Sequence, residues 1–186
     1  AKIELEKTDV AADKVLNSHS TENVIYALLL SPDGVYKMSQ EIKGMVQTSL
    51  NLGTAYLDAD KLVYKYLIRS NTAAGKKLLL ERVTTFAKHL SGKVVTMSDY
   101  PAWEYKSDSQ LRRICVESFT NVYGHEPEVT SIHAGLECGI LAGKMPGVDM
   151  ISFGPTLESV HTPDECMNVA SVERTWEYLL EILKSL

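Results

Sequence analysis

The sequence predicts an α+β unit, in which helices cover an antiparallel sheet, followed by an α/β unit. Residues 45–57 and 62–68 have the composition of strands, and the short Asp-Ala-Asp connection between them favours an antiparallel hairpin. Further along the chain, apolar runs of strand length alternate with helical patterns, which is typical of α/β units. Because composition changes in the polar and aromatic stretch 100–108, we predict two domains, 1–104 and 105–186.

Helices are predicted on both sides of the hairpin. The first begins at Ser20 or Thr21, carries apolar residues at helical spacing and ends in the turn-forming sequence Ser-Pro-Asp-Gly. The second spans 76–90, where apolar residues recur every three or four positions before a Ser-Gly stop. A short strand is predicted at 94–97, so we expect a helical layer over a sheet that includes this strand.

The second unit is predicted to alternate helix and strand. A helix after the domain boundary has apolar residues on one side and ends at Gly124. Strands are expected at 129–133 and 148–153, with a short helix between them. The last helix is expected to begin at Ser171 and to bury Trp176.

Composition and charge limit the class of protein. With 186 residues, 45% of them apolar, the chain can bury a sizeable core. Its 19 basic and 24 acidic residues are interspersed and give a net charge of −5, so we expect no nucleic acid partner and no membrane partner. No apolar run approaches the ~18 residues of a transmembrane helix. Three cysteines, an odd number, favour a reducing compartment, so a cytoplasmic location is expected.

The stretch 131–165 concentrates histidine, cysteine, glycine and proline, so its backbone must turn repeatedly and present polar side chains from loops. His161 follows the predicted strand 148–153 in a loop that also holds Asp164 and Glu165. A histidine in this setting suits a metal ligand or an acid/base group. From residue chemistry alone, a solvated loop histidine is the favoured alternative.

Two His-x4-Cys pairs, His133 with Cys138 and His161 with Cys166, contain the donor types of a structural zinc site. Their spacing departs from the Cys-x2-4-Cys pairs that are usual in such sites. Cysteines buried as small apolar residues are therefore the favoured interpretation.

Arg69 lies at the end of the second predicted strand, on the side that also carries Val63, Lys65 and Leu67. A guanidinium at the end of a mostly apolar row either reaches solvent or binds a carboxylate in fork geometry. The residues alone leave both alternatives open.

Longer motifs occur in the order found in a known enzyme family. They are SLNLG (49–53), YLIRS (66–70), YPAWEYKSDS (100–109), IHAGLECG (132–139), SFGPT (152–156) and HTPDE (161–165). In these motifs the chain resembles the aminoacyl-histidine dipeptidases of peptidase family M20, which are metal-dependent enzymes related to carnosinases. The resemblance covers roughly Val35 to Leu186.

The resemblance implies a site with two divalent cations, zinc being the expected metal, and it assigns His161 as one metal ligand. It also implies that Arg69 binds the terminal carboxylate of a dipeptide, which arginine does with two parallel hydrogen bonds. Asn51 lies on the same lid strands and is expected to reach the site, or else to cap a strand edge. Gly135 and Glu137 are implied to lie on a loop whose backbone approaches the substrate. The alternative is an ordinary turn before a helix, with Glu137 favoured by the helix dipole.

In that family the remaining ligands and a glutamate base come from an N-terminal segment with a His-x-Asp motif and paired glutamates, which this sequence lacks. The resemblance therefore implies the C-terminal part of a longer enzyme. Residues 1–104 would belong to its lid domain, and residues 105–186 to the C-terminal segment of its zinc-peptidase catalytic domain. The expected function is a fragment of a metal-dependent dipeptidase for Xaa-His or similar dipeptides. This fragment would be inactive without the N-terminal half and would form a homodimer through the lid. The alternative is a non-catalytic self-association module with no metal role.

Overall fold

The computed structural model of the chain describes residues 4, 6–7, 14–58, 60–131 and 137–186. In chain order, its elements are α1 (Ser18–Leu30), β1 (Gly34–Met38), β2 (Val46–Asp58), β3 (Lys61–Ser70), α2 (Ala73–His89), α3 (Gln110–Tyr123), α4 (Glu137–Lys144), β4 (Leu157–Glu158), β5 (Cys166–Met167) and α5 (Val169–Ser185). Across these described ranges, no helix combines the length and the apolar character that crossing a lipid bilayer requires.

A three-stranded antiparallel sheet with the order β1-β2-β3 forms the base of the first unit. β2 and β3 form the predicted hairpin, and their register shifts between Leu52 and Thr54, which places an irregularity at Gly53. β1 is a strand that the sequence analysis did not predict. It follows directly on the turn that ends α1, and its Gly34 is paired with Leu50 of β2.

α2 covers one face of this sheet and encloses the first apolar core. Leu50 of β2 and Leu79 and Val83 of α2 are buried, and Tyr66 of β3 packs against them. The end of α1 is attached to the same part of the sheet, because the hydroxyls of Ser31 and Tyr66 share a hydrogen bond. The predicted arrangement of helices on an antiparallel sheet is confirmed for this part of the chain.

α3 and α5 pack against each other in a second core. Cys115 of α3 and Tyr178 and Ile182 of α5 are buried, and the Phe119 ring meets the Tyr178 ring edge-on, with 5.4 Å between centroids. The Tyr178 hydroxyl donates a hydrogen bond to the Cys115 carbonyl at 2.9 Å. Burial raises the pKa of the Cys115 thiol, and burial together with the neighbouring Cys115 raises the pKa of Tyr178. Both groups therefore stay neutral at physiological pH.

The last helix begins earlier and buries a different face than the sequence predicts. It starts at Val169, and the Asn168 side chain caps it by accepting a hydrogen bond from the Ser171 N–H at 3.1 Å. Trp176 is 59% exposed, whereas Tyr178 is 8% exposed. Apolar residues occupy both faces of α5, so packing against α3, rather than periodicity, selects the buried one.

Three predicted strands do not form in the described residues. The segments 94–97, 129–131 and 148–153 have no regular secondary structure, and residues 132–133 lie outside the described ranges. Val95 is 80% exposed. A strand needs a neighbour to pair its backbone N–H and C=O groups, and no described segment offers one here. The described residues thus lack the parallel sheet that the predicted α/β unit requires.

The connecting segment, residues 99–104, is held by helices on two sides. On one side, Lys76 of α2 forms an ion pair with Asp99 at 2.6 Å. On the other, Gly139 of α4 lies so close to Pro101 that an added Cβ would be 2.7 Å from the Pro101 carbonyl oxygen. This segment therefore links the sheet unit to the helices of the second unit.

Candidate active site

Arg69 and Asn51 lie on the outward face of the sheet, opposite α2. Side chains alternate between the two faces of a strand, and Leu50 is buried beneath α2, so its neighbours on β2 point away from the helix. Ser49 is paired with Arg69 and Asn51 with Leu67, and side chains paired in this way share a face. Both Arg69 and Asn51 are exposed. The structure thus makes these two predicted site residues diagonal neighbours on one open face.

Polar and apolar side chains lie together on this outward face. Leu67, which is 51% exposed, precedes Arg69 by two residues and shares its face. The guanidinium offers N–H donors in the planar fork that a carboxylate accepts with both oxygens. The amide of Asn51 adds a donor and an acceptor on the same face.

Residues 159–165 join β4 to β5 and carry His161; we call this segment the His161 loop. Its backbone has a φ of 65°, in the left-handed region that residues with a Cβ rarely adopt. The His161 backbone N–H donates a hydrogen bond to Glu165 Oε2 at 2.7 Å. The Thr162 hydroxyl donates to the Ser159 carbonyl, also at 2.7 Å. The loop is thus closed by its own hydrogen bonds, with His161 exposed.

Hydrogen bonds that the sequence analysis missed attach this hairpin to α5. The Asn168 N–H donates to the Thr156 carbonyl at 3.0 Å, and the Thr156 N–H donates to the Ser171 hydroxyl at 2.8 Å. Ser171 is 4% exposed, and its hydroxyl donates to the Asn168 carbonyl at 2.6 Å. The available signal was Asn-x-x-Ser at a helix N-terminus, a pattern typical of capping. These contacts fix the base of the hairpin that carries His161.

Asp149 is another residue whose role the sequence analysis missed. Its carboxylate accepts hydrogen bonds from the Ser109 hydroxyl at 2.8 Å and the Leu111 N–H at 3.1 Å, with Lys106 Nζ at 4.0 Å. Partial burial opposes the charged form. The hydrogen bonds from Ser109 and Leu111, together with the Lys106 charge, nevertheless hold the pKa of Asp149 below its ordinary value. Asp149 thereby ties the segment 148–153 to the first turn of α3, which is a structural role.

Glu137 and Gly135 belong to the predicted substrate loop. Glu137 is exposed in the first turn of α4, where a carboxylate interacts favourably with the helix dipole. Its position is therefore compatible with the structural alternative as well as with a substrate contact. Gly135 lies outside the described residues, as does His133.

The described residues contain no complete metal site. Within the ranges given above, no three or more His, Cys, Asp and Glu side chains are grouped so that they could hold a metal ion. A catalytic zinc takes about three protein ligands. Neutral imidazole is a good zinc donor, so His161 is chemically suited to one ligand position, and a complete site would need further ligands from other residues.

The alternative structural zinc site gains no support from the part of the chain that is described. Cys138 is half-buried in α4 and Cys166 is exposed on β5, and both are free thiols. Neither is grouped with His161 in a cluster of three potential ligands.

The sequence model of peptidase family M20/M25/M40 matches residues 9–185 of this chain. The chain belongs to this family. The match extends over both apolar cores and includes every predicted site residue, among them those that the structure does not describe. The resemblance to M20 enzymes that the sequence motifs predict is thereby confirmed.

Two relatives of this M20 chain are dipeptidases by name. The chain is 34% identical over 178 residues to the cytosol non-specific dipeptidase of Escherichia coli (strain K12). This alignment covers 95% of this chain and 37% of that protein. The crystal structure of aminoacylhistidine dipeptidase from Vibrio alginolyticus matches with a TM-score of 0.86 at 34% identity, over 95% of this chain and 36% of that one. The M20 chain therefore spans little more than a third of the length of either relative.

A more distant structure shares the fold alone. The aminopeptidase PepT from Bacillus cereus ATCC 10987 matches with a TM-score of 0.60 at 17% identity, over 89% of this chain and 45% of that one. The M20 family and its fold are thus established for this chain. The roles assigned to Arg69, Asn51, Gly135, Glu137 and His161 stay predictions.

Proposed function

We propose that this M20 chain is part of a metal-dependent dipeptidase that hydrolyses Xaa-His or similar dipeptides. The observation that carries the proposal is the match to an aminoacylhistidine dipeptidase over 95% of the chain, with a TM-score of 0.86 and 34% identity. The name of the Escherichia coli relative supports the same class of substrate. A cytoplasmic location for this protein belongs to the proposal and draws on the cytosolic name of that relative.

His161 contributes one ligand to a centre of two divalent cations, with zinc as the proposed metal. Support comes from its exposed position and from the hydrogen-bonded loop that presents it. When bound, such a centre supplies a polarised water and a Lewis acid for the scissile carbonyl. The other ligands and the general base are proposed to lie outside the chain, so the chain alone should be inactive.

Arg69 binds the free carboxylate of the dipeptide, and Asn51 contributes its amide beside it. A dipeptidase must distinguish a terminal carboxylate from a continuing chain, and a guanidinium fork recognises that group directly. The diagonal relation of the two residues on an exposed sheet face supports a shared substrate contact. Gly135 and Glu137, the latter in the first turn of α4, are proposed to belong to the same substrate site.

The two domains are proposed to be a lid, 1–104, and the C-terminal segment of a catalytic domain, 105–186. Support comes from two separate apolar cores, one around Leu79 and one around Tyr178. The same arrangement gives each domain one part of the site, because Arg69 lies in the first and His161 in the second.

Bound metal and dipeptidase activity provide the test. We would compare the complete gene product, its His161→Ala variant and this chain alone for zinc content and for hydrolysis of an Xaa-His dipeptide. The complete product should bind zinc and hydrolyse the dipeptide, His161→Ala should lose most of its zinc and activity because a catalytic zinc needs about three protein ligands, and the chain alone should be inactive. Full activity of the chain alone would contradict its role as a part, and a complete product that needs no metal would overturn the metal-dependent class.

A second candidate function is self-association without catalysis. It is favoured by β3, which is an edge strand of the three-stranded sheet, and by α1, where Leu29 and Leu30 are 75% and 66% exposed. Pairing of two lids in this way would also give the homodimer proposed for the enzyme. Sedimentation of the complete product and of its Leu67→Pro variant in β3 tests self-association. Dimerisation without metal binding or dipeptidase activity would favour this second function.

A further inference from the structure

We infer that Glu165 is a positioning residue for His161, whose backbone it holds in the conformation from which the imidazole reaches a divalent cation. The inference rests on the proposed function, in which His161 is a metal ligand. It concerns a contact that no sequence pattern indicated, namely the 2.7 Å hydrogen bond from the His161 N–H to Glu165 Oε2.

His161 has an unusual backbone conformation. A φ of 65° is sterically unfavourable for any residue with a Cβ, so it persists only where surrounding contacts impose it. His161 is exposed and belongs to neither of the two described apolar cores. Two contacts constrain this backbone: the Thr162 N–H donates to the Ser159 carbonyl at 3.2 Å and closes a turn around His161, and the His161 N–H itself donates to Glu165 Oε2 at 2.7 Å.

Glu165 differs from the other polar groups of the His161 loop in the group that it contacts. The Thr162 hydroxyl donates to the Ser159 carbonyl at 2.7 Å and accepts from the Asp164 N–H at 3.3 Å, but neither contact involves His161. Only the Glu165 carboxylate reaches across the loop to the His161 backbone. Because the acceptor is charged, this bond is stronger than a bond between neutral groups.

The contact between Glu165 and His161 should also affect metal affinity. A ligand on a mobile loop loses conformational freedom when it binds a cation, and a loop that is already ordered avoids most of that loss. The base of the hairpin is fixed independently through Ser171 and Asn168. Loss of the Glu165 carboxylate should therefore loosen the tip of the loop, which the bonds from Thr162 to the Ser159 carbonyl would then hold, while the fold stays intact.

The experiment measures Zn²⁺ affinity by competition with a chromophoric chelator, using the complete gene product. The variants are Glu165→Ala, Glu165→Gln, His161→Ala and, as a matched control on the neighbouring carboxylate, Asp164→Asn. Glu165→Ala should weaken zinc binding about tenfold, in the range of other partners that orient metal ligands. Glu165→Gln keeps an acceptor oxygen and should recover most of the loss, and Asp164→Asn should match the wild type.

Activity as a function of zinc concentration gives a second readout. In Glu165→Ala the half-saturating zinc concentration should rise about tenfold, and the maximal rate should fall by a smaller factor. Thermal unfolding of each variant accompanies the titrations. If Glu165→Ala alone fails to fold, the comparison of Glu165→Gln with Asp164→Asn decides, because Glu165→Gln should still bind zinc more weakly than the control.

The outcomes separate this inference from the function on which it rests. If His161→Ala weakens zinc binding but both Glu165 variants behave like Asp164→Asn, the positioning role is wrong and the proposed function stands. If His161→Ala binds zinc as tightly as the wild type, the proposed ligand is wrong and the positioning role fails with it.

Discussion

The Glu104 carboxylate accepts a hydrogen bond at 2.8 Å from the backbone N–H of Ala73, the first residue of α2. The first N–H groups of a helix have no partner within it and carry partial positive charge, so a carboxylate from elsewhere stabilises this end. Thr72 caps the same turn by accepting from the Gly75 N–H at 3.2 Å. The start of α2 is thus held by its own cap and by the connecting segment, which couples the sheet to the second core.

Lys76→Met should weaken this coupling. Lys76 Nζ donates to Asp99 Oδ1 and to the Tyr100 carbonyl, both at 2.6 Å, and its side chain is 28% exposed. Methionine keeps the apolar stem but makes neither bond, so urea unfolding of the chain should show a loss of about 1 kcal/mol.

Lys77→Met is the matched control for Lys76→Met. Lys77 lies 3.9 Å from Glu81 in an exposed pair, with side chains 78% and 63% exposed. Such pairs contribute little, about 0.3–0.5 kcal/mol at most. Equal losses in the two lysine variants would contradict a specific role for the connecting segment.

Leu79→Ala should destabilise the first unit strongly. Leu79 is 0% exposed and packs against Leu50 of the sheet, so the truncation leaves a cavity that costs about 2–5 kcal/mol. The adjacent Leu78 is 55% exposed, and Leu78→Ala should cost less than about 1 kcal/mol. Urea unfolding, followed by circular dichroism, measures both. Similar losses at the two positions would mean that α2 does not bury the face described.

Asp149→Asn should reduce stability in a way that depends on pH. The folded-state pKa of Asp149 is lowered, so its stabilising contribution is fully present above the unfolded pKa of about 3.9 and is lost as pH falls through the folded pKa. The difference in unfolding free energy between wild type and variant should therefore be constant from about pH 7 to 5 and shrink below about pH 4. Urea unfolding over this range measures it.

Asp108→Asn provides the comparison for Asp149→Asn. Asp108 pairs with Arg113 at 2.8 Å, but its side chain is 86% exposed, so water screens the interaction. A pH-dependent loss of equal size in both variants would contradict the special setting of Asp149.

Arg69→Lys should raise KM for a dipeptide with a free carboxylate in the complete gene product. Lysine keeps the charge but not the planar fork, so we expect an increase of about tenfold, corresponding to about 1.4 kcal/mol. For the same dipeptide with an amidated C-terminus, wild type and variant should be alike. Lys65→Ala, on the same face of β3, is the control and should not alter the preference for the free carboxylate. If Arg69→Lys raised KM equally for both substrates, carboxylate recognition would belong to another residue.

The sequence by itself determined the elements that depend only on residues close together along the chain. The β2–β3 hairpin follows from two apolar runs and a short connection, and α2 follows from apolar residues at helical spacing. Family membership likewise followed from motifs that can be recognised without a structure. The outward position of Arg69 on its strand was predictable in part, because side chains alternate between the two faces of a strand.

Only the tertiary structure decided which apolar runs pair as strands, which face of α5 is buried and what holds His161. Residues 148–153 have strand composition but no neighbouring strand in the described chain. In α5, Tyr178 packs against α3 in the core, whereas Trp176 is exposed. The bond from His161 to Glu165 likewise depends on a loop geometry that closes through space. Composition and periodicity indicate which secondary structure a segment favours on its own. Strand pairing, helix packing and hydrogen bonds between side chains and distant backbone depend on which groups the folded chain brings close together.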